Sequence, residues 1–278
     1  LVDRVLLALE IDLGKERILV EHEVRDRHVG KQIALVQIAH LLDLRDRVAG
    51  SEVGSDHNQD RTPLRETLKA VGHAVRANYL YAGAADYLAE ADDPRLERAL
   101  TALATDVATR KIYFTGMTGA LYDGASPDGS SKHATIKTVH QAYGRDYQLP
   151  NLTAYNETCA TIGYAMWAWR MLLVTGDSRY ADQFEQSLYN GVLAGISLEG
   201  KHYFYVNPLR TDQSFDWPLR WSRTRTPNIK SSFCCPPNVV RTIAEAHNYV
   251  YTLSPDRIWV QLYAASVLNT QWPDGQPV

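Results

Sequence analysis

Apolar residues recur at helical spacing through most of the chain. Ala70, Val71, Ala74, Val75 and Tyr79 follow that period within residues 64–91, which predicts a helix. Asp92-Asp93-Pro94 then restarts the pattern. An acidic residue suits a helix N-cap, and proline suits the first turn, where its missing N–H loses no hydrogen bond. Leu96, Leu100, Leu103 and Val107 form the next stripe. A second pair follows the same plan. Residues 160–174 read as one helix, Gly176 ends it, and Asp177 or Ser178 caps the next. Tyr180, Phe184, Leu188 and Val192 line the inner face of that next helix. The segments Glu90–Leu96 and Val174–Tyr180 align position for position, and a fainter third copy lies around Ile33–Val48. Repeated helical hairpins predict a solenoid or a toroid. Helices apolar on two sides favour the toroid, a mainly α fold.

Two stretches break the period. Residues 113–156 are rich in Gly, Ser, Thr, Asp and Tyr and read as a long loop, a feature that compact domains reserve for function or disorder. Residues 202–235 carry Tyr203, Phe204, Tyr205, Trp217, Trp221, Arg220, Arg223 and Arg225 and read as a second excursion. Both are expected at one mouth of the toroid. Asn238 to Tyr251 returns to helix. Ile258 to Leu268 alternates and reads as a strand. Trp272-Pro273-Asp274-Gly275 reads as a hairpin turn. The expected division is a helical barrel over 1–252, incomplete at its N-terminus, and the first strands of a truncated β-sandwich over 253–278. Leu1 stands where an initiator Met would, which fits a fragment of a longer protein.

Composition narrows the function classes. The 278 residues suffice for one large core. A net charge of −3 with dispersed basic residues offers no nucleic-acid footprint. No apolar run reaches the ~18 residues of a membrane span. Localisation stays open, with a bacterial cytoplasm or periplasm the expectation. Sixteen tyrosines and six tryptophans suit either a core or a sugar-binding cleft.

Candidate chemistry lies in the three cysteines. Cys159 closes the run Tyr155-Asn156-Glu157-Thr158-Cys159, and Cys234-Cys235 leads into Pro236-Pro237-Asn238. Vicinal cysteines seldom bridge to each other, because disulfide geometry needs more separated alpha carbons. Three thiols with Glu157 make a plausible four-ligand zinc set. A thiolate held by zinc stays ionised and can also act as a nucleophile. A lone cysteine is more simply a small buried hydrophobe, but Glu-x-Cys together with Cys-Cys-Pro-Pro-Asn favours metal binding or catalysis.

The runs QLPNLTAYNETCA at 148–160, GHAVRANYLY at 72–81 and FCCPPNVVRTIAE at 233–245 resemble glycoside hydrolase family 127, the β-L-arabinofuranosidases and their relatives. The similarity covers most of residues 60–270. It implies an (α/α)6 barrel followed by β-domains, and a retaining hydrolase with a zinc-bound cysteine nucleophile. Glu157, Cys159, Cys234 and Cys235 match the zinc ligands, with Cys234 the nucleophile. His73 matches a sugar-contacting histidine. Glu185 and Tyr205 match a carboxylate and a phenol that bind sugar hydroxyls. The partner implied is an oligosaccharide or glycoside.

One position departs from the family. Its general acid/base Glu falls at Gln141, beside His140. An amide cannot pass a proton, and such help is worth roughly 10²–10⁴ in rate. Three explanations follow: a replaced Glu, a neighbouring donor such as His140 or Asp146, or a substrate that brings its own carboxylate. The last fits the acidic branched sugars of rhamnogalacturonan II, and Gly30-Lys31-Gln32 would add a cation for such a group. His140 is also a candidate sugar contact. A non-catalytic sugar-binding protein would have no need for a reactive Cys234, and a zinc-stabilised scaffold for protein partners would carry an exposed apolar patch, which the sequence does not show.

Overall fold

The computed structural model describes residues 6–12, 17–23, 59, 62–119, 121–122, 141–212, 214, 224–226, 234–272 and 275–277, the first two spans as backbone. The fainter repeat copy at Ile33–Val48, Lys31, His140, Trp217 and Trp221 lie outside them. The chain divides into two compact units, Gln37–Val240, and Leu1–Val36 with Arg241–Val278.

The larger unit is built from helical hairpins. α1 (Ala74–Leu88) and α2 (Pro94–Asp106) form the first, α3 (Thr158–Thr175) and α4 (Arg179–Ser187) the second, and α5 (Cys235–Ala244) begins beyond them. The caps follow the sequence pattern. Asp93 Oδ1 accepts the Leu96 N–H at 3.0 Å, with Pro94 opening the helix. Gly176 closes α3 in the left-handed region at φ 70°, which side chains with a Cβ disfavour. Asp177 Oδ1 accepts the Arg179 N–H at 3.0 Å at the start of α4. Leu96, Leu100, Leu103 and Val107 are all fully buried, and the stripe of Tyr180, Phe184, Leu188 and Val192, along α4 and the turn after it, is buried too.

α3 is the core helix, buried on nearly every side from Thr158 to Leu172. α1 runs parallel to it. Asn78 Nδ2 donates to Ala160 O at 2.9 Å, Tyr81 meets Trp167 at 4.9 Å between ring centroids, and Arg170 Nε pairs with Asp86 Oδ2 at 2.6 Å. Gly163 permits this approach, since a Cβ there would stand 2.8 Å from Tyr79 Cδ2. α4 returns antiparallel, with Trp169 and Phe184 at 5.4 Å and the Tyr164 hydroxyl donating to Gln183 Oε1 at 2.7 Å. Parallel inner helices with antiparallel partners are the arrangement a barrel of hairpins requires.

The repeat extends further than its turns. The offset that aligns Asp92 with Gly176 also aligns Ile112 with Ile196, Gly116 with Gly200, and His73 with Glu157. Ile112 and Ile196 each open a small bridged loop, in which Gly116 and Gly200 take φ 83° and 70°. His73 and Glu157 are the N-caps of α1 and α3. α2 and α4 each end in a π-turn, Val107–Lys111 and Leu188–Val192.

The smaller unit is β-rich. β1 (Leu6–Asp12) pairs antiparallel with β2 (Arg17–Glu23) and with β7 (Val267–Asn269), in the order β2-β1-β7. This corrects the helical reading of the chain's opening. Leu7, Leu9 and Ile11 against Glu10 and Asp12 carry a period of two that the helical reading passed over. The single strand expected over Ile258–Leu268 is also two. β6 (Arg257–Val260) pairs with β5 (Tyr251–Ser254), the chain leaves the sheet, and β7 joins a different one.

Candidate functional site

The N-termini of α1, α3 and α5 carry the chemistry. His73 and Glu157 take extended N-cap backbones (φ −63°, ψ 114° and φ −63°, ψ 128°), and Cys234 immediately precedes α5. The chain reaches Glu157 through β3 (Asn156–Glu157), which pairs antiparallel with β4 (Val206–Asn207). Just before β4, Tyr205 O accepts the Thr158 N–H at 3.0 Å. The 202–235 excursion is thereby joined to the start of α3, and Tyr205 stands beside the cysteines.

Glu157, Cys159, Cys234 and Cys235 converge, with their ligand atoms all within 4.8 Å of one another. Cys234 Sγ lies 3.7 Å from Cys235 Sγ, 3.8 Å from Glu157 Oε1 and 3.6 Å from the Tyr205 hydroxyl. Cys235 Sγ lies 3.9 Å from Glu157 Oε1, and Asn238 Nδ2 donates to Cys159 Sγ at 3.2 Å. Cys159 and Cys235 are buried, while Cys234 is partly exposed. Burial, and then Cys234, push the Glu157 carboxyl up to about 8. The Cys234 hydrogen bond raises Cys159, burial raises Cys235, and burial followed by Glu157 raises Tyr205. Four acidic groups packed this closely suppress one another's ionisation unless a cation joins them.

The donor set fits zinc. A tetrahedral site with Zn–S of ~2.3 Å has sulfur–sulfur edges of about 3.8 Å, close to the separation of the adjacent cysteines. Glu157 Oε2 is buried without a hydrogen-bond partner, an atom that a cation would satisfy.

A second group lies nearby. Gln141 is buried, and its φ of 57° is left-handed. His73 Nε2 donates to Gln141 Oε1 at 2.8 Å, and Gln141 Nε2 donates to the Tyr155 hydroxyl at 2.7 Å. The directions follow because an amide oxygen only accepts and its nitrogen only donates. Tyr155 packs with Tyr122 and Val206, and Tyr205 packs against that cluster. Contact therefore runs from His73 through Gln141, Tyr155 and Tyr205 to Cys234. Described residues of both excursions, Tyr122 and Tyr155 of one and Tyr205 and Val206 of the other, meet here.

Among the described residues, Glu185 makes no side-chain hydrogen bond or ion pair and stands half-exposed on α4, so no contact joins it to the cluster. Asp146 pairs with Lys69 Nζ at 2.9 Å, a bond that holds its carboxyl below the usual carboxylate range. That removes it as a ready proton donor. Tyr155 and Asn238 are site residues whose roles the sequence reading did not assign. Both lie within the quoted motifs, but only their tertiary contacts reveal them.

Comparison with known proteins agrees with this geometry. Residues 11–248 match the family model described as β-L-arabinofuranosidase, GH127 catalytic domain. The non-reducing end β-L-arabinofuranosidase of Bifidobacterium longum subsp. longum is 36% identical over 196 residues, 70% of this chain and 27% of that protein. A solved glycoside hydrolase superposes with a TM-score of 0.82 at 52% identity, covering 90% of this chain and 41% of its own. A GH127 β-L-arabinofuranosidase from Geobacillus stearothermophilus T6 gives a TM-score of 0.69 at 36% identity, over 80% of this chain and 33% of its own. The chain thus spans less than half the length of these relatives.

Proposed function

The chain belongs to glycoside hydrolase family 127, and from that premise we propose that it is the catalytic part of a zinc-dependent retaining glycosidase that cleaves a β-L-arabinofuranoside or a related plant cell-wall furanoside. The observation that carries this reading is the convergence of Glu157, Cys159, Cys234 and Cys235. The parallel inner helices support closure into an (α/α)6 barrel. Cys234 is the nucleophile because it alone of the three sulfurs is open to a ligand. Zinc bound here would keep the thiolates ionised and make Cys234 a better leaving group.

In the first step, Cys234 Sγ attacks the anomeric carbon and the glycosidic C–O bond breaks, its electron pair leaving on the oxygen, which takes a proton from solvent. In the second, water attacks that carbon from the opposite side and gives up a proton to solvent, the C–S bond breaks and the thiolate returns. Two inversions retain configuration. The Tyr205 hydroxyl, 3.6 Å from Cys234 Sγ, orients the sulfur. His73 and Gln141 hold the sugar; of the further contacts the resemblance implies, Glu185 stands half-exposed on α4 without a bond to the cluster, and His140 lies outside the described residues.

Gln141 favours a second reading. Its amide passes no proton, and Asp146 is held by Lys69. A substrate with its own carboxylate, such as an acidic branched sugar of rhamnogalacturonan II, would supply the missing acid. A non-catalytic sugar-binding role is disfavoured by the accessible Cys234.

The test is incubation of the zinc-assayed protein with an aryl β-L-arabinofuranoside and with an acidic branched glycoside, followed by mass analysis of the Cys234 peptide. We expect zinc near one equivalent and a glycosyl adduct on that peptide. Absence of zinc, or turnover with net inversion, would sink the proposal.

A further inference from the structure

We propose that Asp106 and Lys111 are positioning residues for the His73–Gln141 pair, brought together by the π-turn in which α2 ends. The inference rests on the reading above, in which that pair holds the sugar. In an α-helix, residues five apart point in different directions, roughly 140° around the axis. The π-turn Val107–Lys111, with its i→i+5 hydrogen bonding, brings such residues to one side. Lys111 Nζ consequently lies 3.2 Å from Asp106 Oδ2, with side chains 3% and 1% exposed.

This buried pair grips one residue by both main-chain groups. Asp106 Oδ2 accepts the Ala70 N–H at 2.9 Å, and Lys111 Nζ donates to Ala70 O at 2.6 Å. From Ala70 the chain runs through Gly72, at φ 77°, to His73. The facing segment is tied to the same cluster. Asp146 Oδ2 pairs with Lys69 Nζ at 2.9 Å, and Asp146 also lies 3.9 Å from Arg110 Nε and 4.0 Å from Lys111 Nζ. The Tyr147 N–H donates to Arg110 O at 2.9 Å. Between these ties the two segments are laced together, Tyr143 N–H to Gly72 O and Ala74 N–H to Gln141 O, each at 3.0 Å. The ion cluster holds one end of the lacing, and the 2.8 Å His73–Gln141 bond lies at the other.

A buried ion pair is weak evidence for stability in itself, and its best use is to select one arrangement. Here both charges are spent on the main chain next to the site. Catalytic groups need placement within a fraction of an ångström, and His73 and Gln141 sit on loop and N-cap backbone that has no helix around it.

The experiment uses the whole zinc-loaded chain and the variants Asp106→Asn and Lys111→Arg. The first readout is the imidazole NMR signal of His73. We expect a slowly exchanging Nε2–H in the wild type, and exchange faster by on the order of tenfold in Asp106→Asn at unchanged zinc content. An unchanged His73 signal in a cooperatively folded Asp106→Asn protein overturns the proposal. The second readout needs no variant. Native-state hydrogen exchange of the Ala70, Ala74 and Tyr143 amides should report one shared opening. Ala74 and Tyr143 opening independently of Ala70 overturns the proposal even if neither variant folds. The third readout is turnover of the aryl glycoside, where we expect kcat to fall by on the order of 10²-fold. A displaced His73 with undiminished kcat would leave the clamp standing and remove His73 and Gln141 from the sugar site.

Discussion

At the scale of single residues, the three cysteines divide by exposure. Cys234 is partly open and Cys159 and Cys235 are buried, so loss of each sulfur should act differently. Cys234→Ser should lower kcat by at least about 10³-fold, because a hydroxyl is a far weaker nucleophile than a metal-held thiolate. Steady-state kinetics beside metal analysis would check this, with zinc largely retained. Cys235→Ser should act through the metal, with activity restored in part by added zinc. Gln141 makes the opposite kind of prediction. A carboxylate in Gln141→Glu would meet His73 and Tyr155 at the positions the amide now occupies, and could transfer a proton. Hydrolysis of a neutral β-L-arabinofuranoside should rise by roughly 10²–10⁴. Fast cleavage of that substrate by the unaltered chain would instead point to another donor, and His140 would be the first to test.

At the scale of elements, the hairpins were readable because caps and stripes are local signals. Asp93, Pro94 and Gly176 each do at their own position what their chemistry dictates. The π-turns after α2 and α4 leave no such mark, since nothing in Val107–Lys111 alone reports a change from i→i+4 to i→i+5 bonding. The opening strands were missed for a related reason: their period of two is short, and one partner, β7, is distant in sequence. The packing of α1 on α3 depends on Gly163. Gly163→Val should cost about 1–3 kcal/mol, because added carbons meet the Tyr79 ring at 2.8 Å and the Cβ of the fully buried Asn78 at 3.0 Å. Thermal unfolding would show it as a lower Tm, with zinc content per folded protein unchanged.

At the scale of the larger unit, one metal would join two helices whose ligands are far apart in sequence: Glu157 and Cys159 at the start of α3, and Cys234 and Cys235 at the start of α5. Chelation should therefore lower the Tm of the whole unit, and by more at higher pH. The sign follows from Glu157, whose carboxyl in the metal-free fold is pushed up to about 8 from an ordinary 4.5. Between those values the folded chain holds a proton that the unfolded chain has lost, so metal-free stability falls as pH rises. Zinc binding becomes tighter over the same range, because fewer protons must be displaced. The gap between loaded and stripped Tm should widen from about pH 5 to about pH 8, as calorimetry of both forms would show.

By itself the sequence determined the helical hairpins and their caps, and singled out Glu157, Cys159, Cys234 and Cys235 as a candidate ligand set and Gln141 as an amide where a carboxylate was expected. These are matters of residue type and short-range spacing, and physics acts on them within a few turns of chain. Only the tertiary structure decided that His73, Glu157 and Cys234 all stand at helix starts. It alone turned Gln141 between His73 and Tyr155, withdrew Asp146 into a pair with Lys69, and set Asp106 and Lys111 on Ala70. Those contacts join residues tens of positions apart. They arise because α1 and α3 pack in parallel, which brings their N-termini, His73 and Glu157, to one end.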